Sequence, residues 1–337
     1  MQRRLPVYLL LDCSESMAGA PLEAVEIGVI SMLTALRRNP YAMETVYLSI
    51  ITFDAKARQL VPLTEVPAIS QPNLAIRPGT CLGAALNLLH DCIQREVIKT
   101  TAEQKGDFRP LVFILTDGQP TDQWLEAAQR LKNTSPSLAN IYAVGCGDEV
   151  DFTTLNRIAD VCIHMRGLSP DSFANFFVWL SASVQSMSVT PDEKVNLEKI
   201  PLSDGLELID PARPPAFSSD SQRLYFHVRC RKTRDHYLMR YRFEPEAECY
   251  LAQDAVPLPP DFFTDGTLKS PAVSSDLLYG SVDCPHCGGS SWGQCGFCRH
   301  LFCLEENFNE PHLVCPVCES KLSMGNGGSF GVEGSMG

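Results

Sequence analysis

The sequence predicts an α/β fold with a doubly wound, mainly parallel sheet, followed by a small cysteine-rich module. Over residues 1–187, apolar segments typical of buried strands alternate with segments of helical period. Such alternation is typical of a parallel sheet with helices on both faces, joined by right-handed crossovers. In addition, seven of the fourteen cysteines crowd between Cys284 and Cys318, which sets that segment apart from the rest of the chain.

The expected elements follow in a regular order. Strands are predicted at residues 5–11, 45–53, 57–63, 111–116, 139–145 and 161–165, with 57–63 at an edge of the sheet. Helices are predicted at residues 21–37, 81–98, 124–131, near Leu155 and at 171–186.

Three polar motifs lie where these elements meet. Asp12, Ser14 and Ser16 (DCSES) follow the first strand, Thr80 (RPGTCLGAAL) opens a helix, and Asp117 (LVFILTDGQPTD) follows another strand. Open α/β sheets bind ligands at the carboxyl ends of their strands. Hydroxyl and carboxylate oxygens are donors that Mg²⁺ or Mn²⁺ prefers. The three motifs together therefore predict a divalent cation site of the metal-dependent adhesion type.

Each motif alone has a purely structural interpretation. Asp and Ser cap helices and fill βα loops, Thr80 could be the N-cap of the helix that follows, and Asp117 could be a turn residue beside Gly118. Only their combination favours the cation site. Gly79, just before Thr80, would let the backbone come close to an ion.

Residues 1 to roughly 185 resemble von Willebrand factor type A domains. The segments MQRRLPVYLLLDCSESM, VYLSIITFDAKARQLVPLTE and RPLVFILTDGQPTD are similar to TerY-type bacterial proteins associated with tellurium resistance. The resemblance implies that Ser14, Ser16 and Thr80 ligate the ion, with Asp12 and Asp117 acting directly or through water. It also implies a protein kinase and a PP2C-type phosphatase as partners. Glu15, where the family commonly has glycine, departs from the pattern.

Composition restricts the classes of partner. A hydrophobic content of 45% with 20% charged residues is that of a soluble globular protein, and 337 residues allow one large and one small domain. A net charge of -12 argues against general nucleic-acid binding and against anionic membranes. No apolar run reaches the ~18 residues of a spanning helix. The first strand begins near the first residue and leaves no room for a signal peptide, so we expect a cytoplasmic protein.

The cysteine-rich segment, residues 281–323, predicts a zinc module with one or two ions. Its three Cys-x-x-Cys pairs have the spacing of zinc knuckles. A ribbon-type site is expected from the outer pairs, Cys284, Cys287, Cys315 and Cys318. A second site would use Cys295, Cys298 and Cys303, with His300 or His312 as the fourth ligand. So short a segment cannot bury a sufficient core without such a staple.

A cross-braced pairing is also open. It would place Cys284, Cys287, His300 and Cys303 on one ion and the remaining four knuckle cysteines on the other. Such an arrangement resembles a RING finger and would suggest a ubiquitin ligase. The spacing argues against a RING, because Glu306 stands where that motif has a cysteine. The resemblance to TerY-type proteins also implies a C-terminal zinc-binding segment.

Residues 188–280 are expected to form a linker and a β-hairpin, and residues 324–337 a disordered Gly- and Ser-rich tail. The hairpin spans 223–243 and turns at 232–235; it carries six arginines and one lysine against one aspartate. Alternation would gather basic side chains on one face, namely Arg229, Arg231, Arg240 and Arg242 beside Tyr225 and His227. That face could hold an acidic or phosphorylated group. The favoured interpretation is structural: the face is either solvated or docked on the chain's own acidic surface.

The predicted function is a non-enzymatic adaptor that binds an acidic residue of a protein partner through Mg²⁺ or Mn²⁺. The alternative from another class is a Mg²⁺-dependent phosphatase or phosphotransferase, which also places an aspartate after its first strand. Such enzymes need a second carboxylate two residues later as general acid, and here that position is Ser14.

Overall fold

The computed structural model describes residues 3–117, 119–132, 138–147, 150–189, 201–215, 223–260, 262, 272–305, 313–322 and 329–336. The chain forms two compact units. The first comprises Met1–Leu74 and Thr80–Phe217, and the second comprises Ala75–Gly79 and Ser218–Gly337.

The first unit contains a seven-stranded sheet. Its strands are β1 (Leu5–Asp12), β2 (Val46–Phe53), β3 (Ala57–Glu65), β4 (Leu111–Thr116), β5 (Asn140–Cys146), β6 (Val161–Met165) and β7 (Leu206–Leu208). The spatial order is β3-β2-β1-β4-β5-β6-β7. The five central strands run parallel, and β3 and β7 close the edges in the antiparallel sense. The mainly parallel sheet and the edge position of residues 57–63 are thus confirmed.

Helices cover both faces of this sheet. They are α1 (Ala20–Arg38), α2 (Pro40–Thr45), α3 (Leu82–Glu96), α4 (Leu125–Lys132), α5 (Phe152–Ile158) and α6 (Pro170–Val189). Val112 and Ile114 of β4 pack in one core with side chains of α3, α4 and α5. Phe113, between them, meets the ring of Trp179 of α6 edge-on. Successive residues of a strand point to opposite faces, so the sheet is doubly wound.

One helix and one strand of the first unit, α2 and β7, were not predicted from the sequence. The helix α2 follows α1 after a single residue, Asn39, whose side chain caps it by accepting from the Ala42 N–H. The strand β7 lies within the segment that was expected to be a linker, yet it pairs with β6 at the sheet edge. Three residues are too few to show a strand period, which is why the sequence did not reveal it.

The second unit contains a seven-stranded sheet and two short two-stranded sheets. Its strands are β8 (Arg223–Arg229), β9 (His236–Glu244), β10 (Cys249–Pro257), β11 (Ala272–Ser274), β12 (Leu278–Tyr279), β13 (Ser291–Gln294), β14 (Leu301–Leu304), β15 (Leu313–Val314), β16 (Lys321–Leu322), β17 (Gly331–Glu333) and β18 (Ser335–Met336). The main sheet has the order β12-β10-β9-β8-β14-β13, and β18 pairs with β8 beside this path of strands. The predicted hairpin is β8 and β9, which pair antiparallel.

The hairpin and the cysteine-rich segment are not separate regions, contrary to the predicted boundary at residue 280. The strand β14, inside the cysteine-rich segment, pairs in parallel with β8 of the hairpin. Side chains from both segments, including Phe226, Tyr241 and Leu301, form one buried core. The two regions therefore share a sheet and a core.

The tail also differs from its expected disorder where the structure describes it. Within 329–336, β17 pairs with β11 and β18 pairs with β8. Gly334 lies so close to the Phe226 ring that a Cβ there would be 2.6 Å from a ring carbon. Residues 324–328 and 337 of the predicted tail lie outside the described residues.

Among the described residues, no helix is both long enough and apolar enough to cross a membrane.

The contact between α1 and α6 depends on Gly28. A Cβ at this position would lie 1.9 Å from Cδ2 of Phe177, whose ring is buried. We expect Gly28→Ala to destabilise the fold by about 1–3 kcal/mol through overpacking, even though alanine favours helix by ~1 kcal/mol. Thermal unfolding followed by circular dichroism should show a midpoint lowered by a few degrees. The neighbouring exposed residue supplies a control, Ile27→Ala, which should change the midpoint little. An unchanged or raised midpoint for Gly28→Ala would contradict the close packing.

Candidate metal centres

The cation site expected from the sequence lies at the carboxyl edge of the central strands. Because β1 and β4 are parallel neighbours, with Leu11 opposite Leu115, the residues that follow them meet at the same edge. Strand order reverses at this point, since the chain runs outward from β1 to β2 on one side and to β4 on the other. That is the crevice where open α/β sheets bind ligands.

Four of the five predicted ligands form one hydrogen-bonded set. The Ser14 N–H donates to Asp12 Oδ1 at 2.9 Å, and the Ser14 and Ser16 hydroxyl oxygens lie 2.9 Å apart. The Ser16 hydroxyl donates to Asp117 Oδ1 at 2.6 Å. The other oxygen of Asp12 accepts from the Thr116 hydroxyl at 2.5 Å. The ends of β1 and β4, with the loops that follow them, thus direct two carboxylates and two hydroxyls to one buried place.

Thr80, the fifth predicted ligand, is buried on a neighbouring loop. Its carbonyl accepts from the Thr121 N–H at 2.9 Å, and its own N–H donates to Thr121 Oγ1 at 3.1 Å. The next residue, Cys81, donates its N–H to the Asp54 carbonyl at the end of β2. The backbone around Thr80 is therefore fixed between the loops that follow β4 and β2. Thr80 is not the side-chain cap of α3, which begins at Leu82.

The electrostatics of this place favour a cation. Asp12 is 1% exposed and Asp117 8% exposed. Burial, and then the Asp117 carboxylate, raise the pKa of Asp12 to about 7. Two buried carboxylates repel each other, and a divalent cation would remove that repulsion while accepting the hydroxyl oxygens as further ligands. The donor set is all oxygen, which suits Mg²⁺, Mn²⁺ or Ca²⁺ better than softer metals.

Two residues that support the site, Asp54 and Asp122, were not predicted from the sequence. Asp54, buried at the end of β2, accepts from the Lys56 N–H at 2.9 Å and pairs with the Arg58 guanidinium at 2.5 Å. Asp122 accepts from the N–H groups of Gly83 and Ala84 at the start of α3. Asp122 has a recognisable signal, because it ends the same TDGQPTD segment as Asp117, whereas Asp54 in FDAK has none.

Comparison with known proteins agrees with this geometry. The family model for the von Willebrand factor type A domain matches residues 7–176. The chain belongs to the von Willebrand factor type A domain family. The matched span contains all five predicted cation ligands.

Several relatives and solved structures match about half of the chain. An uncharacterized protein of Synechocystis sp., sll0103, is 28% identical over 165 residues, which are 47% of this chain and 36% of that protein. This chain thus spans about a third of the length of that relative. Proximal thread matrix protein 1 of the mussel byssus is 15% identical, with a TM-score of 0.40, covering 54% of this chain and 48% of that chain. Another structure of that protein holds zinc in its MIDAS motif. A von Willebrand factor type A protein from Catenulispora acidiphila is 17% identical, with a TM-score of 0.39, covering 54% and 43%.

The cysteine clusters lie beyond the von Willebrand domain. Within the described residues, the thiols gather as two groups of four, and in each group all sulfurs lie within 4.8 Å of one another. The members are Cys230, Cys284, Cys287 and Cys303 in cluster 1, and Cys295, Cys298, Cys315 and Cys318 in cluster 2.

This grouping corrects the expected pairing. Cys284 and Cys287 do not share a site with Cys315 and Cys318, because the pairs alternate between the clusters along the chain. The cross-braced alternative has the right knuckles, but Cys230 takes the place of His300. His300 is exposed, and its Nδ1 lies 3.1 Å from the Cys298 carbonyl oxygen. His312, the other candidate, lies outside the described residues.

The sulfur separations suit a tetrahedral metal. The two sulfur atoms lie 3.5 Å apart in Cys287 and Cys303, 3.7 Å apart in Cys295 and Cys318, and 3.6 Å apart in Cys298 and Cys315. Four thiolates at the usual Zn–S distance of about 2.3 Å stand roughly 3.8 Å apart. A disulfide requires about 2.0 Å, and all fourteen cysteines are free. Either cluster could hold a zinc ion.

Cys230, outside the cysteine-rich segment, lies on a turn built like the three knuckles. Its N–H donates to the Asp235 carbonyl, and its carbonyl accepts from the Arg234 N–H. The turns that begin at Cys284, Cys295 and Cys315 repeat the same two bonds, five and four residues ahead. In all four turns the residue four positions after the first cysteine has a positive φ. Cys230 therefore begins a fourth knuckle, in which Thr233 replaces the second cysteine.

The missing thiol of that fourth knuckle is supplied by Cys303 of β14. The Arg231 N–H lies 3.3 Å from Cys303 Sγ, so β14 and the hairpin turn are in contact. The sequence carries a weak signal of this fourth knuckle. In Cys230-Arg-Lys-Thr-Arg-Asp, the turn residue Arg234 follows the cysteine by four positions, as in the other knuckles, but the second cysteine of the motif is absent.

One arginine of the predicted basic face, Arg240, and two basic residues of the hairpin turn pair with carboxylates of the chain itself. Arg240 donates to both oxygens of Asp254, at 2.6 and 2.9 Å. Lys232 Nζ lies 2.8 Å from Glu305, and Arg234 lies 3.0 Å from Glu319. Arg231 is in the turn and not in the strand, contrary to its expected place on the face. The pairing of Arg240 agrees with the favoured interpretation, in which the face is solvated or docked on the chain's own acidic surface.

The cluster geometry generates a prediction about metal content. We expect protein purified without chelator to contain two zinc ions, and Cys230→Ser to contain one, because three thiols hold zinc far less well than four. Elemental analysis of both proteins measures this directly. Cys162→Ser, at a buried thiol of the von Willebrand domain, is the matched control and should retain both ions. Equal zinc content in the Cys230→Ser variant and the wild type would show that Cys230 is not a ligand.

Proposed function

We propose that the chain is a non-enzymatic adaptor that binds a protein partner through a divalent cation held by its von Willebrand domain. The hydrogen-bonded set of Asp12, Ser14, Ser16 and Asp117 carries this proposal. Thr80 would complete the ligand shell from its fixed loop. Such a site supplies a Lewis-acidic, exchangeable coordination position for an outside oxygen.

The donor set indicates which group the partner provides. Serine and threonine hydroxyls carry no charge, so only two carboxylates, Asp12 and Asp117, offset the double charge of the ion. Both carboxylates also accept hydrogen bonds from Ser14, Ser16 or Thr116, so part of their negative charge is directed to these donors and not to the ion. A further anionic oxygen would be drawn to the open position, and an Asp or Glu side chain of a protein partner is the simplest source. Mg²⁺ is proposed as the ion, with Mn²⁺ as its closest substitute.

The hydrogen bonds of Asp12 favour a role as a metal ligand over a role as a catalytic nucleophile. Its two oxygens accept from the Ser14 N–H and the Thr116 hydroxyl, so both are tied to the protein. A nucleophilic aspartate of a phosphotransferase needs one oxygen directed at the phosphoryl group and a general acid close by. Position 14, where that acid would stand, is a serine whose hydroxyl joins the cation-site network.

The two cysteine clusters would hold structural zinc. A site closed by four thiolates has no open position for a substrate. In cluster 1 the ligands come from the hairpin turn, from one knuckle and from β14, so the ion would fasten these segments together. Zinc binding energy in such modules is folding energy, of about 10–16 kcal/mol.

The resemblance to TerY-type proteins supports a more specific setting. We propose a cytoplasmic role in a bacterial stress or tellurium-resistance system, with a protein kinase and a PP2C-type phosphatase as the first partners to test. The resemblance in the motif segments carries this part of the proposal.

The adaptor function predicts a joint loss of metal and partner binding. We expect Asp12→Ala and Ser14→Ala to abolish Mn²⁺ binding and Mg²⁺-dependent capture of the partner, with the fold intact, because Asp12 is the last residue of β1 and Ser14 lies beyond it, at the edge of the sheet. Calorimetric Mn²⁺ titration and pulldown with and without Mg²⁺ measure the two effects. Ser49→Ala, which removes another buried, hydrogen-bonded hydroxyl, is the control and should retain both activities. Partner capture that persists in both variants and in EDTA would refute the adhesion site.

A carboxylate of the partner as the outside ligand predicts how substitutions in the partner change its affinity. Replacing the acidic residues of its mapped epitope by amides should reduce Mg²⁺-dependent affinity at least tenfold, because a neutral oxygen binds the ion less strongly. Affinity is measured with purified proteins at fixed ionic strength. Replacing acidic residues outside the epitope should have little effect. An unchanged affinity after all epitope replacements would show that the partner does not bind the ion through a carboxylate.

A further inference from the structure

The loop after β4 and the loop before α3 carry Asp117 and Thr80, and they are joined by three separate contacts. The first is a reciprocal pair: Thr121 donates its N–H to the Thr80 carbonyl at 2.9 Å and accepts the Thr80 N–H on Oγ1 at 3.1 Å. Both backbone groups of a proposed metal ligand are thus held by a single residue of the other loop.

The second contact is made by the next residue. The two carboxylate oxygens of Asp122 accept from the Gly83 N–H at 2.9 Å and the Ala84 N–H at 2.8 Å. These N–H groups belong to the first turn of α3, which has no side-chain cap from its own N-cap residue. A carboxylate there also interacts favourably with the positive end of the helix. Asp122 therefore caps α3 from the other loop.

The third contact is a close approach of backbones. A Cβ at Gly83 would lie 2.5 Å from the Gln123 carbonyl oxygen and 2.8 Å from Trp124 Cα. Real Cβ atoms do not come so near to backbone atoms, so only glycine allows α3 to begin this close to residues 123 and 124.

From these contacts we infer that Thr121 and Asp122 are positioning residues that hold Thr80 and Asp117 in one rigid arrangement for the cation. This inference rests on the proposed adhesion site and adds residues that do not themselves touch the ion. The Thr80 hydroxyl is a neutral, weak ligand, so its contribution depends on being held in place before the ion arrives. We call the three contacts between the two loops the clasp. Without the clasp, the Thr80 loop would have to become ordered when the ion binds, and this entropic cost would weaken metal binding.

The experiment is a Mn²⁺ titration of the purified full chain, combined with thermal unfolding of the metal-free protein. Thr121→Val keeps the side-chain shape but removes the Oγ1 acceptor, and we expect it to weaken Mn²⁺ binding about tenfold, the lower end of the effect of losing an outer partner of a metal ligand. Thr121→Ser keeps the acceptor and should restore the affinity. Asp122→Ala should weaken binding to a similar or greater extent.

Two controls separate positioning from general stability. Asp151→Ala removes a carboxylate that caps α5 in the same way, by accepting from the N–H groups of Thr153 and Thr154. It should lower the melting temperature as much as Asp122→Ala but leave Mn²⁺ affinity unchanged. Thr64→Val removes an exposed hydroxyl with only a local bond and should change neither quantity.

The outcomes distinguish this inference from the proposed function. Mn²⁺ binding by the wild type with equal affinity in Thr121→Val and Asp122→Ala would overturn the clasp and leave the adhesion site standing. Affinity losses in Asp151→Ala equal to those in Asp122→Ala would also overturn it, because they would mark general destabilisation. A wild type that binds no Mn²⁺ would overturn the proposed function and the clasp together.

Discussion

The parallel pairing of β1 with β4 is the constraint on which the cation site depends. It places Asp12 and Asp117 at the same edge of the sheet, inside the protein, where their charges repel. The fold accepts this cost because hydrogen bonds from Ser14, Ser16 and Thr116 stabilise the carboxylates in part. A bound cation would remove what repulsion remains. The same arrangement that is unfavourable for the empty fold is therefore the basis of its affinity for metal.

Much of the first unit could be predicted from the sequence because its signals are local. Buried parallel strands are continuous apolar runs, and polar residues just after such runs must lie at the edge where the strands end. This reasoning located Asp12 and Asp117 correctly. The contacts that fix Thr80 could not be predicted, because Thr121 and Asp122 lie about forty residues away and their partners are backbone groups. Backbone partners leave no trace in side-chain chemistry.

The second unit shows the opposite balance. Each Cys-x-x-Cys turn is a local motif and was recognised, but the choice of partner knuckle depends on the path of the chain between them. The strand β14 pairs with β8, and this pairing brings Cys303 beside the hairpin turn instead of leaving it with its sequence neighbours. Cys230 was overlooked because one cysteine in a hairpin resembles any buried thiol. Only the hydrogen bonds and the positive φ of Arg234 identify its turn as a knuckle.

The two kinds of site use opposite coordination chemistry, and the difference assigns their roles. Four soft thiolates at sulfur separations near 3.6 Å would close the coordination sphere of a small tetrahedral ion, so no outside ligand could enter. The oxygen site has few charged ligands and suits ions that take six or more donors, so its shell is incomplete without an outside oxygen. Through Cys230, a zinc ion would fasten the hairpin to strands that a zinc-free chain holds together by the pairing of β8 with β14 and by apolar contacts. In the proposed function, the closed sites would therefore serve folding, and partner binding would fall to the open one.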